Sequence, residues 1–579
     1  MIRMPPAACA VLCLLGSIVQ AAAAQGSKYL EDFELIAKTA AQSSASLKIK
    51  KIDWKKECER LKPRFAACKD DVEHVKNVME LLAVIQDSHT DVWETKVDRG
   101  SLPSKGNGVY GGGLWIGWDR GLLYVQGVMN DHALGSQLPL GSCVVSIGDE
   151  PSWLSLARQR HRIARYLGIS SDHSMYGSLC NRMFPFGDAQ QIEVEFLKPD
   201  RKVENLRLPR WGPQGRSFNW VETTTPKEAP FKEGATSAVL KTDWCDKLGY
   251  LRITGGMEEE TVRAFHAAFD SLKGMEALLL DCRSMGGGSD DCGWEMAGRL
   301  FVKAVSNGSH RLEPSGTWQF EGPVVMLQDE MMVSSAETFA WAVTETNRVI
   351  SVGRNTGGWG IIPKVFECPS GLIKFRLGVN DRATPIRGIH TEGVGWPADV
   401  TVPYGPLFCA ENDPVREVGL EILQVLQAGV AIDEARAMFQ KLFLGEVKAF
   451  ETKATAIAKK ARNWKPDALV RQFRNDLQAR IEIEVKLLSG SKVPDVLGSK
   501  QRLESLEPVA DNAEFSKEWR DAKTELDKLK DEGEAQHDLL DLLGRSEGFK
   551  LSEEDRRAFL KAHSKTQLAA WLKDRKTLE

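Results

Sequence analysis

The chain has 579 residues, of which 42% are apolar and 27% charged, with a net charge of -4 at neutral pH. That is material for about three or four domains at roughly 100–200 residues each. A near-neutral balance, with a pI of about 6.3, gives no electrostatic reason to expect a nucleic-acid partner. No basic run or metal-finger spacing occurs either.

Residues 1–24 carry one Arg, an apolar run from Ala7 to Val19, and Ala22–Ala23–Ala24 ahead of Gln25. The run is shorter than the roughly 20 residues a spanning helix needs, and its small-residue end suits signal peptidase. A cleaved secretory signal is expected, with residence in the periplasm or outside the cell; an uncleaved anchor is the alternative. No later stretch is long and apolar enough to span a bilayer. Of the 11 cysteines, Cys9 and Cys13 would leave with the signal. The rest are Cys58, Cys68, Cys143, Cys180, Cys245, Cys282, Cys292, Cys368 and Cys409, an odd number that requires at least one free or intermolecular thiol. Cys58/Cys68 and Cys368/Cys409 are candidate pairs, and Cys282 reads as a small buried apolar residue.

Over residues 28–100, apolar residues recur at helical intervals, as in Leu30, Phe33 and Ile36, then Val72, Val75, Val78, Leu82 and Ile85. The spacing predicts a helical bundle that ends at Asp87–Ser88–His89. Residues 109–210 read as β-rich with one helix, from the Gly111–Gly112–Gly113–Leu114 stretch through Leu122–Val125 and Cys143–Ile147. Residues 235–408 alternate strand and helix signals. The strands are Tyr250–Ile253, Ala277–Cys282, Pro323–Leu327, Val349–Val352 and Ile373–Leu377; the helices are Glu258–Leu272, Cys292–Phe301 and one from about Ala336. That order predicts an α/β core with a partly parallel sheet. Residues 411–579 are rich in Lys, Glu, Asp, Ala and Leu and predict an all-α extension: Val415–Leu426, Glu434–Ala461, Asp467–Leu488, Glu514–Lys530 and Glu553–Lys573. The extension is an appendage for docking or oligomerisation, or a passive helical cap.

Within the core, the strand Pro323–Leu327 leads through a polar turn to Ser334–Ser335 and a helix. A hydroxyl there is either a helix cap or a nucleophile whose oxyanion would meet free backbone N–H groups. Gly286–Gly287–Gly288 follows another strand, without the Lys-Ser/Thr of a P-loop or the glycine spacing of a dinucleotide fingerprint.

Several blocks together carry a resemblance. Leu278–Gly288, Ser334–Ser335–Ala336–Glu337, Arg348–Gly353 and Thr356–Gly357–Gly358 resemble, in order, the C-terminal processing (tail-specific) serine peptidases. Met285 replaces that family's usual Asn. Most members use a lysine twenty-five residues after the serine, where this chain has Trp359, which cannot accept a proton. The Asp87–Ser88–His89–Thr90 and Thr391–Glu392–Gly393–Val394–Gly395–Trp396–Pro397–Ala398–Asp399 stretches are instead similar to the tricorn-core-like branch, which uses Ser, His and Glu. The resemblance spans about residues 30–405 and implies a multidomain α/β protein. In order, it has an N-terminal helical bundle, a PDZ-like module at 109–210, a ClpP/crotonase-like serine peptidase core at 235–408 and the all-α extension. In the PDZ-like stretch, Gly141–Ser142 replaces the usual Gly-Asp; a merely structural β-insert is the alternative.

What the resemblance implies chemically is a Ser334 nucleophile, a His89 general base, and a Glu392 that orients the imidazolium directly or through Ser88. The oxyanion would meet the N–H groups of Ser335 and Gly287, with no metal or organic cofactor and a polypeptide substrate. Rivals are Ser335 as nucleophile and His390 or Lys364 as base, while Glu337 reads as a first-turn helix residue. Two non-enzymatic alternatives stay open: an inactive scaffold that binds peptides, and an apolar-ligand carrier like the retinoid-binding proteins that share this core.

Overall fold

A computed structural model describes residues 28–103, 114–129, 138–179, 190–209, 220–221, 234–308, 310–381, 387–402, 413–510, 516–546 and 548–575. The expected secretory signal, Gly111–Gly113, Cys180 and Cys409 lie outside the described residues. The molecule is mixed α/β.

Four strands, Leu248–Met257, Ala277–Asp281, Val324–Gln328 and Ile350–Gly353, lie side by side and parallel. Gly234–Leu240 pairs antiparallel with the first of them, and Val400–Thr401 continues the sheet beyond the last. Ala277–Asp281 is buried throughout, as expected of a parallel strand covered on both faces. Leu278 and Leu280 face one cluster with Phe265 and Phe339, from the helices Glu259–Asp270 and Ser335–Glu345. Leu279, one residue out of phase, joins Val325, Leu327 and Val415, Val418 and Ile422 of the helix Pro414–Gln427 on the other face. That helix lies close to the sheet at Gly419, where an added Cβ would stand 2.9 Å from Leu327 Cδ2. What reads in sequence as the start of an appendage is therefore the second cover of the core sheet.

The N-terminal helices, 28–43, Ala45–Ile49, Trp54–Ala66 and Asp71–Ala83, do not close on one another alone. They pack on a separate antiparallel sheet whose strand order is Asp91–Thr95, Ile373–Asp381, Ile361–Glu367. The expected core strand Ile373–Leu377 thus belongs to this second sheet. Its alternation puts Ile373, Phe375 and Leu377 on one face, which supplies the apolar partner the helices need.

Residues 114–209 form an antiparallel sheet of Leu114–Asp119, Leu122–Met129, Cys143–Ile147, Gln191–Leu197 and Val203–Pro209, in that order. Two helices rather than one accompany it, Ser152–Ala164 and Asp172–Leu179. Of the predicted C-terminal helices, Val415–Leu426 and Asp467–Leu488 are present and slightly longer, as Pro414–Gln427 and Pro466–Gly490, while two others are divided. Glu434–Ala461 divides into Ile432–Phe443 and Val447–Ala458 at Gly445, whose φ is 86°. Glu553–Lys573 divides at Thr566, whose side chain caps Gln567–Lys573. Cys58 and Cys68 are free thiols, not a bridged pair; Cys68 Sγ instead donates to the Arg64 carbonyl at 3.3 Å. Cys282 is buried on the core strand's end, and burial pushes its thiol well above the ordinary range. Among the described residues, no helix is long and apolar enough to cross a membrane.

Candidate active site

The site lies at the carboxyl ends of the core strands, where an open α/β sheet presents functional groups. After Val324–Gln328 the chain turns through residues 329–333 and reaches Ser334, with φ 58° and ψ -126°, immediately before the helix Ser335–Glu345. Val333 N donates to Met285 O at 3.2 Å, which ties this turn to the glycine-rich strand Met285–Gly288. A Cβ on Gly287 would lie 2.4 Å from Ser334 Cβ and 2.8 Å from its Oγ. Only glycine leaves room for the backbone beside that hydroxyl. Ser335 is buried and donates its hydroxyl to Gly288 O at 2.7 Å, so it is held away from the cleft. Its N–H, in the first helical turn, has no intrahelical carbonyl to meet.

Ser334 Oγ lies 3.0 Å from His89 Nε2. The two residues come from segments 245 positions apart. His89 follows the helix Asp71–Ala83 in a turn organised by Asp87, whose carboxylate accepts from His89 N at 2.9 Å and Thr90 Oγ1 at 2.8 Å. Thr90 Oγ1 in turn accepts from Gly378 N at 3.0 Å, fixing the turn to the second sheet. Burial pushes the Asp87 carboxyl up, against those hydrogen bonds and the nearby Lys50 ammonium. Trp359 stands at the family's dyad-lysine position and sets its ring edge-on to the imidazole, with centroids 5.5 Å apart.

Glu392 is buried beside this group and held by three elements. Lys50 Nζ meets its Oε1 at 2.9 Å, Gly360 N donates to its Oε2 at 3.1 Å, and the Ser170 hydroxyl also bonds it. Ser88 pairs reciprocally with Ser170: each backbone N–H donates to the other's hydroxyl at 2.9 Å. A polar path therefore runs from Ser88, next to His89, through Ser170 to Glu392. Burial, then the Asp87 charge, pushes the Glu392 carboxyl up to about 7, while Lys50 pulls it down. His390, a rival base, is more than half exposed, with Nδ1 2.6 Å from Asp381 Oδ2. Lys364, the other rival, places its ammonium over the Phe366 ring.

Glu337 does structural work beside the serine. Its buried carboxylate accepts from Ser334 N (3.0 Å), Gly358 N (2.8 Å), Trp359 N (2.7 Å) and Thr356 Oγ1 (2.5 Å). Burial pushes its carboxyl up and these four donors pull it down. The loop 356–360 also carries the Glu392 segment, since Gly393 N donates to Gly358 O at 2.9 Å. Sequence reasoning missed Lys50 and Ser170. No local pattern marks either one, because Lys50 and Glu392 are 342 residues apart.

A serine at a helix N-terminus, in hydrogen-bond contact with an imidazole and beside a glycine-rich strand, is the arrangement of a serine hydrolase on an α/β core. Residues 247–402 match the model of Peptidase family S41. The chain is 27% identical over 206 residues to a carboxyl-terminal-processing protease of Picosynechococcus sp.. That stretch covers 33% of this chain and 48% of the relative, so the match spans about half of the relative's length. The photosystem II D1 C-terminal processing protease is 20% identical, covering 69% of this chain and 97% of that one, with a TM-score of 0.40. Mature CPAF is 12% identical, covering 69% of this chain and 96% of that one, with a TM-score of 0.46.

Proposed function

We propose that the protein is an exported serine peptidase that cleaves peptide bonds in unfolded polypeptides or C-terminal peptides. The observation that carries this reading is the 3.0 Å contact between Ser334 Oγ and His89 Nε2, with Gly287 beside the hydroxyl. His89 takes the serine proton as Oγ attacks the scissile carbonyl, and returns it to the leaving amine. The tetrahedral oxyanion is met by the N–H groups of Ser335 and Gly287. Such donors stabilise the transition state because they are aimed at charge that develops only there. Ionised Glu392, acting through Ser170 and Ser88, favours the imidazolium that forms. Export rests on the apolar run Ala7–Val19 and the small residues after it.

The antiparallel module at 114–209 is read as PDZ-like, a receptor for the substrate's terminus or for an added strand. Its bond to the core supports a role beside catalysis: Arg354 Nη1 donates to Trp118 O at 3.1 Å while its other nitrogen pairs with Glu330.

Fluorophosphonate labelling of the signal-less protein tests the reading. Ser334 is expected to be the labelled residue, and Ser334→Ala and His89→Ala are each expected to abolish labelling. Glu392 gains a proton as pH falls through about 7, so the labelling rate should fall in the same window. Folded wild-type protein that resists the probe from pH 6 to 9 would overturn the peptidase reading in favour of a binding protein. Labelling that survives His89→Ala would remove His89 as the base.

A further inference from the structure

Lys50 is the C-terminal cap residue of the short helix Ala45–Ile49 and lies in none of the blocks that carry the family resemblance. Its ammonium has three protons and meets three oxygens from three segments: Gln86 O on the approach to His89, Ser170 O at 3.0 Å, and Glu392 Oε1 at 2.9 Å. The side chain is 14% exposed and that of Glu392 is 0% exposed. Its stem runs beside Gly393, where an added Cβ would meet Lys50 Cε at an ordinary contact distance of 3.6 Å. A lysine on a surface loop would not be satisfied so completely. This one is held as a tether among the histidine turn, the linker that carries Ser170, and the glutamate.

We infer that Lys50 is a positioning residue of the active site, contributed by the N-terminal helices, which favours the ionised form of Glu392 and holds it in register with the His89 turn. The inference rests on the Ser/His/Glu reading above. Two charged groups bear on Glu392: Lys50 from the N-terminal helices and Asp87 from the histidine turn. Asp91 bears in turn on Asp87. The remaining partners are the Ser170 hydroxyl and Gly360 N. Without the ammonium, a buried glutamate would face a buried aspartate with no cation between them. Its proton would be held to higher pH, and the charge that favours the imidazolium would be lost near neutrality. The N-terminal helices are then part of the catalytic machinery rather than an attachment to it: the same segment delivers the base and the cation that sets its partner's charge.

The test is the pH dependence of Ser334 phosphonylation in the full chain, its Lys50→Arg and Lys50→Met variants, and Glu392→Gln. Lys50→Met is expected to move the acid limb up by about one pH unit or more and to slow labelling about tenfold at pH 7. Lys50→Arg, which keeps the charge, should restore most of the limb's position. Glu392→Gln should lose the part of the limb that Glu392 sets, and adding Lys50→Met to it should change the profile little. Labelling of Lys50→Met with the wild-type limb and rate would overturn the inference while leaving the peptidase reading intact. A wild-type chain that does not label at Ser334 would remove the peptidase reading and the lysine's catalytic role with it. Thermal melts of the two single variants and the double variant then report on the tether independently. Non-additive losses support a direct lysine–glutamate interaction, and additive losses overturn it.

Discussion

Ser334 holds φ 58° and ψ -126°, a region that glycine enters freely and an L side chain seldom does. From this conformation its hydroxyl reaches His89 Nε2 at 3.0 Å. The strain is a cost that can be measured. Ser334→Gly and Ser334→Ala both remove the hydroxyl, but only glycine relieves the backbone. Urea unfolding is expected to show the glycine variant more stable than the alanine variant by about 1 kcal/mol, the strain relief less the entropy glycine adds to the unfolded chain. Equal stabilities would mean that the turn stores no strain. At the same scale, Gly287 shows why a glycine is needed beside Ser334: any Cβ there would meet Ser334 Cβ at 2.4 Å.

The helix Ser335–Glu345 and the loop 356–360 act as one element because Glu337 joins them. One carboxylate meets three backbone N–H groups and the Thr356 hydroxyl directly. That loop places Trp359 on the imidazole and Gly360 on Glu392. Glu337→Gln keeps the shape but turns an amide NH2 toward groups that are themselves donors. The change is expected to cost about 2–4 kcal/mol in chemical denaturation, through lost charged hydrogen bonds and unsatisfied N–H groups. It should also slow Ser334 labelling although Glu337 touches no substrate. Retention of wild-type stability would sink this account of the loop.

Across the whole molecule, the C-terminal helices clamp the 114–209 module to the core. Leu122, Tyr124, Cys143 and Leu197 of the module share a cluster with Ile483 and Leu487, and Trp153 and Leu154 pack with Leu539, Leu543 and Leu568. Arg502 closes this interface: Nε meets Glu484 Oε1 at 2.6 Å and Nη1 meets Arg120 O at 2.8 Å. Its side chain and that of Glu484 are each only 5% exposed. Arg502→Met would leave Glu484 as a buried charge without its main partner, at an expected cost of about 3 kcal/mol. Hydrogen exchange should quicken in Leu122–Met129, because the turn at Arg120 loses its anchor. Unchanged exchange there would show that the apolar clusters hold the module without the ion pair.

The sequence by itself determined what local chemistry determines. Ala277–Asp281 reads as a strand because its run is apolar on both faces, and Ser334 reads as a helix-start hydroxyl because a strand and a turn precede it. His89 and Glu392 were visible because short blocks of neighbouring residues carry them. Tertiary structure alone decided which strand joins which sheet, as with Ile373–Leu377, since its alternation suits any apolar partner. It also decided where the long helical patterns of the C-terminal region break, and that the first of those helices covers the core. Lys50 and Ser170 stayed hidden for the same reason. A polar residue has no periodic signature, and what it does depends on groups that only packing brings near, here a glutamate 342 positions away.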